Sequence, residues 1–362
     1  MAGLVNPDPA FWRGRRVLVT GHSGFKGSWL GLWLKRLGAI ALGLSLPAQD
    51  EAERERLGFL ADVMPGIACD IRDAQATRAA LEGFAPEIVL HLAAQPLVRP
   101  SYRDPRLTFE TNVLGTLNLL EAIRAQPSVR SVVIATTDKC YENREWPWPY
   151  REIDPLGGHD PYSASKACTE ILAASWRSSF AGSSDRLIAI ATARAGNVIG
   201  GGDWAQDRLV PDAVRALSSG ETLAVRNPGA TRPWQHVLDA LCGYLLLAER
   251  LHMDGPSFAE AWNFGPDSGA ERSVSEVLET LAQAWGAGAT SQADAASGPH
   301  EANRLALDSS KARQRLDWRP RLDFEAAVAL TARWYRLHDR GMPAAELIAA
   351  DIESYESGAF RS

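Results

Sequence analysis

Short apolar runs alternate with longer stretches of helical period along the first half of the chain. Arg16 to Thr20 is apolar and β-branched, and reads as a strand. Trp29, Leu30, Trp33, Leu34 and Leu37 then recur at three- and four-residue spacing, which predicts an amphipathic helix broken at Gly38. Residues 39–46, 67–72, 87–92, 131–136 and 187–193 read as five further strands. Residues 50–60 read as a charged helix, 107–124 as one long helix and 162–180 as another. Such alternation implies a parallel sheet covered by helices on both faces. The pattern then loosens. Helices are expected to open at 208–212 and at 231–239, the latter running into the apolar stretch 241–248, which reads as buried. A strand is expected at 223–225, and residues 324–340 form the final amphipathic helix. The polar, small-residue stretch 293–303 reads as a loop able to close over a nucleotide.

The turn after the first strand carries Gly21, Gly24 and Gly27 in Gly-x-x-Gly-x-x-Gly spacing. Gly21 permits the tight turn, Gly24 a close approach to a diphosphate, and Gly27 close packing of the helix on the strand. A helix beginning at Phe25 points free N–H groups at the phosphates. Strand, glycine turn, helix and strand together predict a dinucleotide site. The second strand ends near Ser45 instead of at the acidic residue that usually holds the adenosine ribose, so nearby Lys35 and Arg36 become candidates there. Ala93 and its small neighbours after the fourth strand allow a close backbone approach to the cofactor, whereas His91 reads as a packed strand residue.

Tyr162 and Lys166 lie four apart, and Pro161 suits the first position of a helix, so the two side chains share one face. A lysine ammonium one turn away is expected to lower the phenol pKa and make Tyr162 a base. Thr136-Thr137-Asp138-Lys139 follows the fifth strand, where chemistry sits in open α/β sheets. The proline- and tryptophan-rich loop 140–158 suits a lid over substrate or a packed excursion. Asn197, among glycines after the sixth strand, suits a diphosphate or sugar. Arg208 and Arg232 are further substrate-binding candidates, Arg232 because a guanidinium grips phosphate oxygens bidentately.

Composition narrows the field. The 362 residues suffice for a large core. A net charge of −6 gives no electrostatic footprint for nucleic acid or an anionic membrane. No apolar stretch approaches the roughly 20 residues of a membrane span, and the first residues do not resemble a signal peptide. Cys69, Cys140, Cys168 and Cys242 form no Cys-x-x-Cys pair, so no metal site is expected and reduced thiols in the cytoplasm are.

Several longer stretches carry a family likeness: Val19 to Trp29, His91 to Arg99, Thr137 to Tyr141, Asn143 to Trp146, Asp160 to Lys166, Gly200 to Ala205 and Arg232 to Val237. With them, the chain resembles the CDP-D-glucose 4,6-dehydratases of the extended short-chain dehydrogenase/reductase superfamily. The resemblance implies an α/β fold, a modified Rossmann doubly wound parallel sheet of seven or so strands with a smaller C-terminal substrate-binding lobe. Residues 1–195 would hold NAD and the Tyr/Lys pair. Residues 196–362 would mainly hold the nucleotide sugar, CDP-glucose, with some chain crossing back to the sheet. It further implies a cytoplasmic homodimer in deoxysugar and lipopolysaccharide biosynthesis, with Asp70 and Ile71 beside the adenine. Asn112 would be a brace for the catalytic backbone, although an exposed position serves as well. Thr137, Asp138, Lys139, Tyr162 and Lys166 are the implied catalytic set. The division of acid and base roles between Asp138 and Lys139 stays open. A nucleotide-sugar 4-epimerase and a non-catalytic NAD-binding regulator are the alternatives on the same fold.

Overall fold

Seven strands form the central sheet: β1 (Arg16–Thr20), β2 (Ile40–Ser45), β3 (Gly66–Ala68), β4 (Ile88–His91), β5 (Ser131–Ala135), β6 (Ala189–Ala195) and β7 (Ala261–Phe264). Their order is β7-β6-β5-β4-β1-β2-β3, and every neighbouring pair is parallel. The computed structural model describes residues 5–180, 188–267, 269–286, 291–293 and 302–359. The order reverses between β1 and β4, so a crevice opens beyond their carboxyl ends.

Side chains alternate across the strands and divide the core in two. Val17, Val19, Ile88, Leu90 and Val133 join one buried cluster, with Trp29 and Trp33 of α1 (Phe25–Arg36). Leu18, Val89, Val132 and Ile134 join the other. There they meet α2 (Ala74–Phe84), α3 (Gly115–Ala125) and α4 (Pro161–Phe180), through Leu81, Leu119, Ile123 and Ala173. Helices cover both sheet faces, so most inner-strand positions are apolar rather than alternating with polar residues, while the edge strand β3 stays exposed. Each fully buried Leu or Val contributes about 1.5–3 kcal/mol. Beyond β6 come α5 (Leu209–Ser219) and α6 (Val237–Asp254), and the expected apolar run 241–248 is indeed buried within α6.

Several elements differ from the sequence pattern for local reasons. The stretch expected as one long helix contains an α-helical turn at Pro105–Phe109, a π-helical turn at Glu110–Leu114, and then α3. The widened turn lets the Asn112 carbonyl accept from both Thr116 Oγ1 (2.7 Å) and Thr169 Oγ1 (2.9 Å). The charged segment splits into Glu51–Leu57 and Leu60–Val63 around Gly58. β3 is three residues long because the chain turns at Asp70 and Asp73, whose carboxylate caps α2. The helix Phe324–Asp339 is not the last. Gly341 and Pro343 interrupt the chain, and Ala344–Ser357 then packs Leu347, Ile348, Ile352 and Tyr355 into the core beside Trp33. The stretch 293–303 falls almost wholly outside the described residues. No helix among the described residues is long and apolar enough to cross a membrane.

Candidate active site

The glycine turn is shaped by what cannot fit there. Gly21 has φ of 73°, and a Cβ on it would lie 2.7 Å from the Ala93 nitrogen. A Cβ on Gly27 would come within 2.2 Å of the Gly21 carbonyl oxygen. Gly24 caps α1 without a side-chain acceptor, leaving the first N–H groups of the helix facing the cleft. This cradle, closed to side chains and lined with free N–H groups, fits a dinucleotide diphosphate. Phe25, Asp70, Ile71 and Ala93 line the same cleft. The Arg72 guanidinium bonded to Asp70 holds that carboxyl below its usual range. His22 takes no part in the lining: its ring fills the gap left by Gly43 and Gly66, either of whose Cβ atoms would collide with it. Neither Lys35 nor Arg36 reaches the ribose end of the cleft. Lys35 Nζ donates to the Asp62 carbonyl at 2.7 Å, and Arg36 pairs with Glu356 at 2.7 Å.

Asp160 caps α4 by accepting from the Ser163 backbone N–H at 2.9 Å, and Pro161 opens the helix as its fixed φ favours. Tyr162 and Lys166 therefore stand one turn apart, both buried and both lining the cleft. The expected lowering of the phenol pKa is not what this arrangement produces. Burial pushes Tyr162 up to about 12, while Thr137 and Arg208 pull the other way. Burial also lowers Lys166 to about 8, opposed by Glu170, and its ammonium donates to the Ala135 carbonyl at 3.2 Å.

β5 delivers the next group. Thr137 is extended and Asp138–Cys140 forms one tight helical turn. Thr137 Oγ1 donates to Asp138 Oδ1 at 2.9 Å and accepts from the Lys139 backbone N–H at 3.3 Å. Lys139 Nζ reaches Asp138 Oδ1 at 3.5 Å and Asn197 Oδ1 at 3.3 Å. Thr137, Lys139 and Asn197 line the cleft, whereas Asp138 sits directly behind it, with no accessible surface and with Oδ2 unpaired. Arg208 lines the cleft and pairs with Asp203 at 2.8 Å. Arg232 also lines it, but its guanidinium is not an open fork. Nη1 donates to the Thr231 and Asn303 carbonyls at 2.8 and 3.2 Å, and Nη2 to that of Ala302.

Asn112 is a buried brace. Its amide accepts from the Gln95 backbone N–H at 2.8 Å, and donates to the Gln95 carbonyl at 3.1 Å and to Ser165 Oγ at 2.8 Å. It ties the loop after β4 to α4, one residue from Lys166. His91 is packed in β4 between Thr20 and Thr116, and burial lowers it to about 3. In the loop 140–158, Tyr141 and Tyr150 stack at 5.1 Å and are buried, while Trp148 is exposed. That loop is pinned by these rings, most of it lies at the surface, and Asn143, Arg144 and Glu145 are on the cleft.

Two features were not singled out by their sequence. Lys26 lies in the first turn of α1, lines the cleft and approaches the Tyr244 hydroxyl at 3.4 Å. Burial lowers it to about 7, helped by Arg208, Lys166 and Lys139 and opposed by Asp138. A lysine amid the glycines was the available signal. The second feature, the Glu170–Arg194 pair, has no local signature, because its partners lie on different elements.

Residues 18–331 match the family model described as GDP-mannose 4,6 dehydratase. The chain is 44% identical to the CDP-glucose 4,6-dehydratase of Salmonella typhimurium, over 98% of this chain and 99% of that protein. Among solved structures it resembles the Streptomyces venezuelae dTDP-glucose 4,6-dehydratase DesIV, a double mutant with NAD and DAU bound. The TM-score is 0.76 at 27% identity, covering 89% of this chain and 97% of that one. It also resembles a UDP-glucose 4-epimerase of Thermus thermophilus in complex with NAD, with a TM-score of 0.75 at 29% identity over 89% of this chain and 99% of the other. A glycine cradle at the β1/β4 crevice, Thr137-Asp138-Lys139 beside Tyr162 and Lys166, and a family match spanning both agree: the chain belongs to the GDP-mannose 4,6 dehydratase family.

Proposed function

We propose that this enzyme is an NAD-dependent hydro-lyase converting CDP-glucose to CDP-4-keto-6-deoxyglucose and water. The observation that carries the reading is Thr137-Asp138-Lys139 set against the Tyr162/Lys166 face of α4, because removing water across C5 and C6 needs an acid and a base that epimerisation at C4 does not. Gly21, Gly24, Phe25, Gly27, Asp70, Ile71 and Ala93 would hold the cofactor, with Tyr162 and Lys166 at its reactive end. A bound NAD would supply the redox chemistry, a hydride acceptor for C4 and then a hydride donor for C6, with a proton taken up at C5. Asn197 and Arg208 would hold the nucleotide sugar, with Arg232 lining the cleft behind its bonds to backbone carbonyls, and the cations around Lys26 and Arg208 suit its diphosphate.

In this scheme Tyr162 takes the C4 hydroxyl proton, hydrogen-bonded with Thr137. The C4 ketone makes the C5 proton acidic. Lys139 removes that proton while Asp138, reaching the cleft through Thr137 Oγ1, gives one to the departing C6 hydroxyl, so the C5–H and C6–O bonds break as C5=C6 forms. A proton moved across the 3.5 Å Asp138–Lys139 contact turns that ion pair into the acid and base required. The test is incubation with CDP-glucose and with other nucleotide-glucoses, followed by mass spectrometry. The product from CDP-glucose is expected to be lighter by one water. Deuterium at C4 of the substrate is expected in the product methyl group. An isomeric hexose of unchanged mass defeats the reading.

Lys166 supplies a pH test. Its pKa is lowered to about 8, so the ammonium beside Tyr162 is lost as pH rises through that value. Since kcat/KM reports free-enzyme groups, it is expected to fall about tenfold per pH unit above about 8. The Lys166→Arg variant, which stays charged, is expected to lose this limb. A limb unchanged in that variant assigns the titration to another group.

We also propose a cytoplasmic homodimer. All four thiols are unpaired, which suits a reducing compartment. Leu114 and Ile171 are 50% and 57% exposed on neighbouring helical segments, so the faces of the π-helical turn and α4 offer an apolar surface. Sedimentation is expected to give twice the chain mass for the wild type and the single-chain mass for Leu114→Lys/Ile171→Glu. A wild-type monomer at micromolar concentration removes the proposal.

A further inference from the structure

The buried ion pair of Glu170 and Arg194 lies outside the cofactor turn and the acid/base strip, yet it touches the strip at both ends. Glu170 follows Tyr162 and Lys166 at the next helical repeat on the same face of α4. One carboxylate oxygen accepts from Thr136 Oγ1. The other accepts from Thr192 Oγ1 at 2.7 Å and from Arg194 Nη2 at 2.8 Å. Arg194 Nη1 donates to Tyr141 Oη at 2.8 Å and to the Glu152 carbonyl at 3.2 Å, and the guanidinium lies 4.9 Å over the Tyr141 ring. The Tyr141 hydroxyl in turn donates to Asn263 Oδ1 of β7 at 2.7 Å.

Thr136 comes just before Thr137, and Tyr141 two residues after Lys139. One ion pair, 1% and 3% exposed, therefore holds both ends of the strip against the helix face that carries Tyr162. Stability alone is a weak reason for such a pair, since apolar replacements of buried pairs are often neutral or better. Geometry is a stronger one, because an ångström of misplacement in a reacting group is worth up to about a hundredfold in rate. Glu170 and Arg194 touch none of the residues in the glycine cradle, so their reach is confined to the acid/base side.

We propose that Glu170, Arg194 and Tyr141 are positioning residues that keep Thr137, Asp138 and Lys139 in register with Tyr162, coupling water loss to oxidation at C4. The proposal deepens the dehydratase reading and rests on it. Tyr141→Phe keeps the ring and removes only the hydroxyl that joins Arg194 to Asn263. The expected result is a folded enzyme with kcat for water loss down about tenfold at unchanged KM. Oxidised, still hydrated sugar accumulates and is trapped by borohydride, and amide hydrogen exchange rises across residues 136–141. Arg194→Lys keeps the charge but lacks the fork that spans Glu170 and Tyr141, so the same trapped sugar is expected. Glu170→Gln is the more severe variant. If it fails to fold, the other two decide. Variants that lose thermal stability yet keep wild-type partitioning and wild-type exchange at 136–141 overturn the proposal. Failure of the wild type to dehydrate CDP-glucose is a separate outcome that overturns the parent reading, while the exchange measurement still reports on the clamp.

Discussion

Tyr162→Phe is expected to remove turnover of CDP-glucose by a factor of about a thousand or more while leaving the protein folded and able to bind NAD. The size follows from the role. A positioned proton acceptor contributes about 10²–10⁴-fold, and Tyr162 lines the cleft beside Thr137 and Lys166. The variant's structural cost is small. The ring is 8% exposed and keeps its packing as phenylalanine, and the only loss is the hydroxyl's bond with Thr137, worth about 1 kcal/mol. Burial lifts the hydroxyl to about 12, so the tyrosine waits as a neutral phenol. It takes the C4 hydroxyl proton as the C–H bond at C4 breaks while handing its own through Thr137 to solvent, so no phenolate stands preformed. The measurement is single-turnover formation of oxidised sugar with saturating NAD. Because the block is at the first step, no 4-keto sugar should be trapped at any time. Oxidised sugar at wild-type rate in this variant removes Tyr162 from the role.

The parts of the fold visible in the sequence are those fixed by near neighbours. The glycine turn, the strands flanking it and the Tyr162–Lys166 pair each depend on residues within one turn or one strand, so local spacing carries them. The π-helical turn at Glu110–Leu114 was hidden because its cause, Thr169 donating to the Asn112 carbonyl, lies on α4 far along the chain. The commitment of Arg232 to backbone carbonyls was hidden in the same way, since Ala302 and Asn303 are brought to it by tertiary folding. The phenol pKa went in the wrong direction for a quantitative reason. Four-residue spacing promises a neighbouring ammonium, but desolvation of a group this buried outweighs it, and the ammonium bonds to a carbonyl of β5 instead. Spacing gives adjacency on a helix. It does not give the depth at which the pair is held.

That depth also sets the second large effect, Lys139→Met. Among the described residues Lys139 Nζ is the one side-chain amine bonded to Asp138, at 3.5 Å, and it reaches the cleft while Asp138 stays behind it. Replacing it with an uncharged chain of similar length keeps the packing and removes the proposed base. It also leaves Asp138 buried with Thr137 as its one bonded side-chain partner, so a stability loss of about 1–3 kcal/mol is expected alongside. The chemical outcome is distinct from that of Tyr162→Phe. Oxidation at C4 should survive, because Tyr162 and Lys166 do not depend on Lys139. Exchange of the C5 proton with solvent should fall by a factor of about 10²–10⁴, and water loss with it. Asp138→Asn should give the complementary result. C5 exchange would persist, with Lys139 losing its proton to solvent instead of to Asp138, but the C6 hydroxyl would leave slowly for lack of a proton. Measuring C5 exchange and water loss in both variants therefore assigns the two roles separately. Exchange abolished in Asp138→Asn and retained in Lys139→Met would show that the carboxylate is the base, and the assignments would then be reversed.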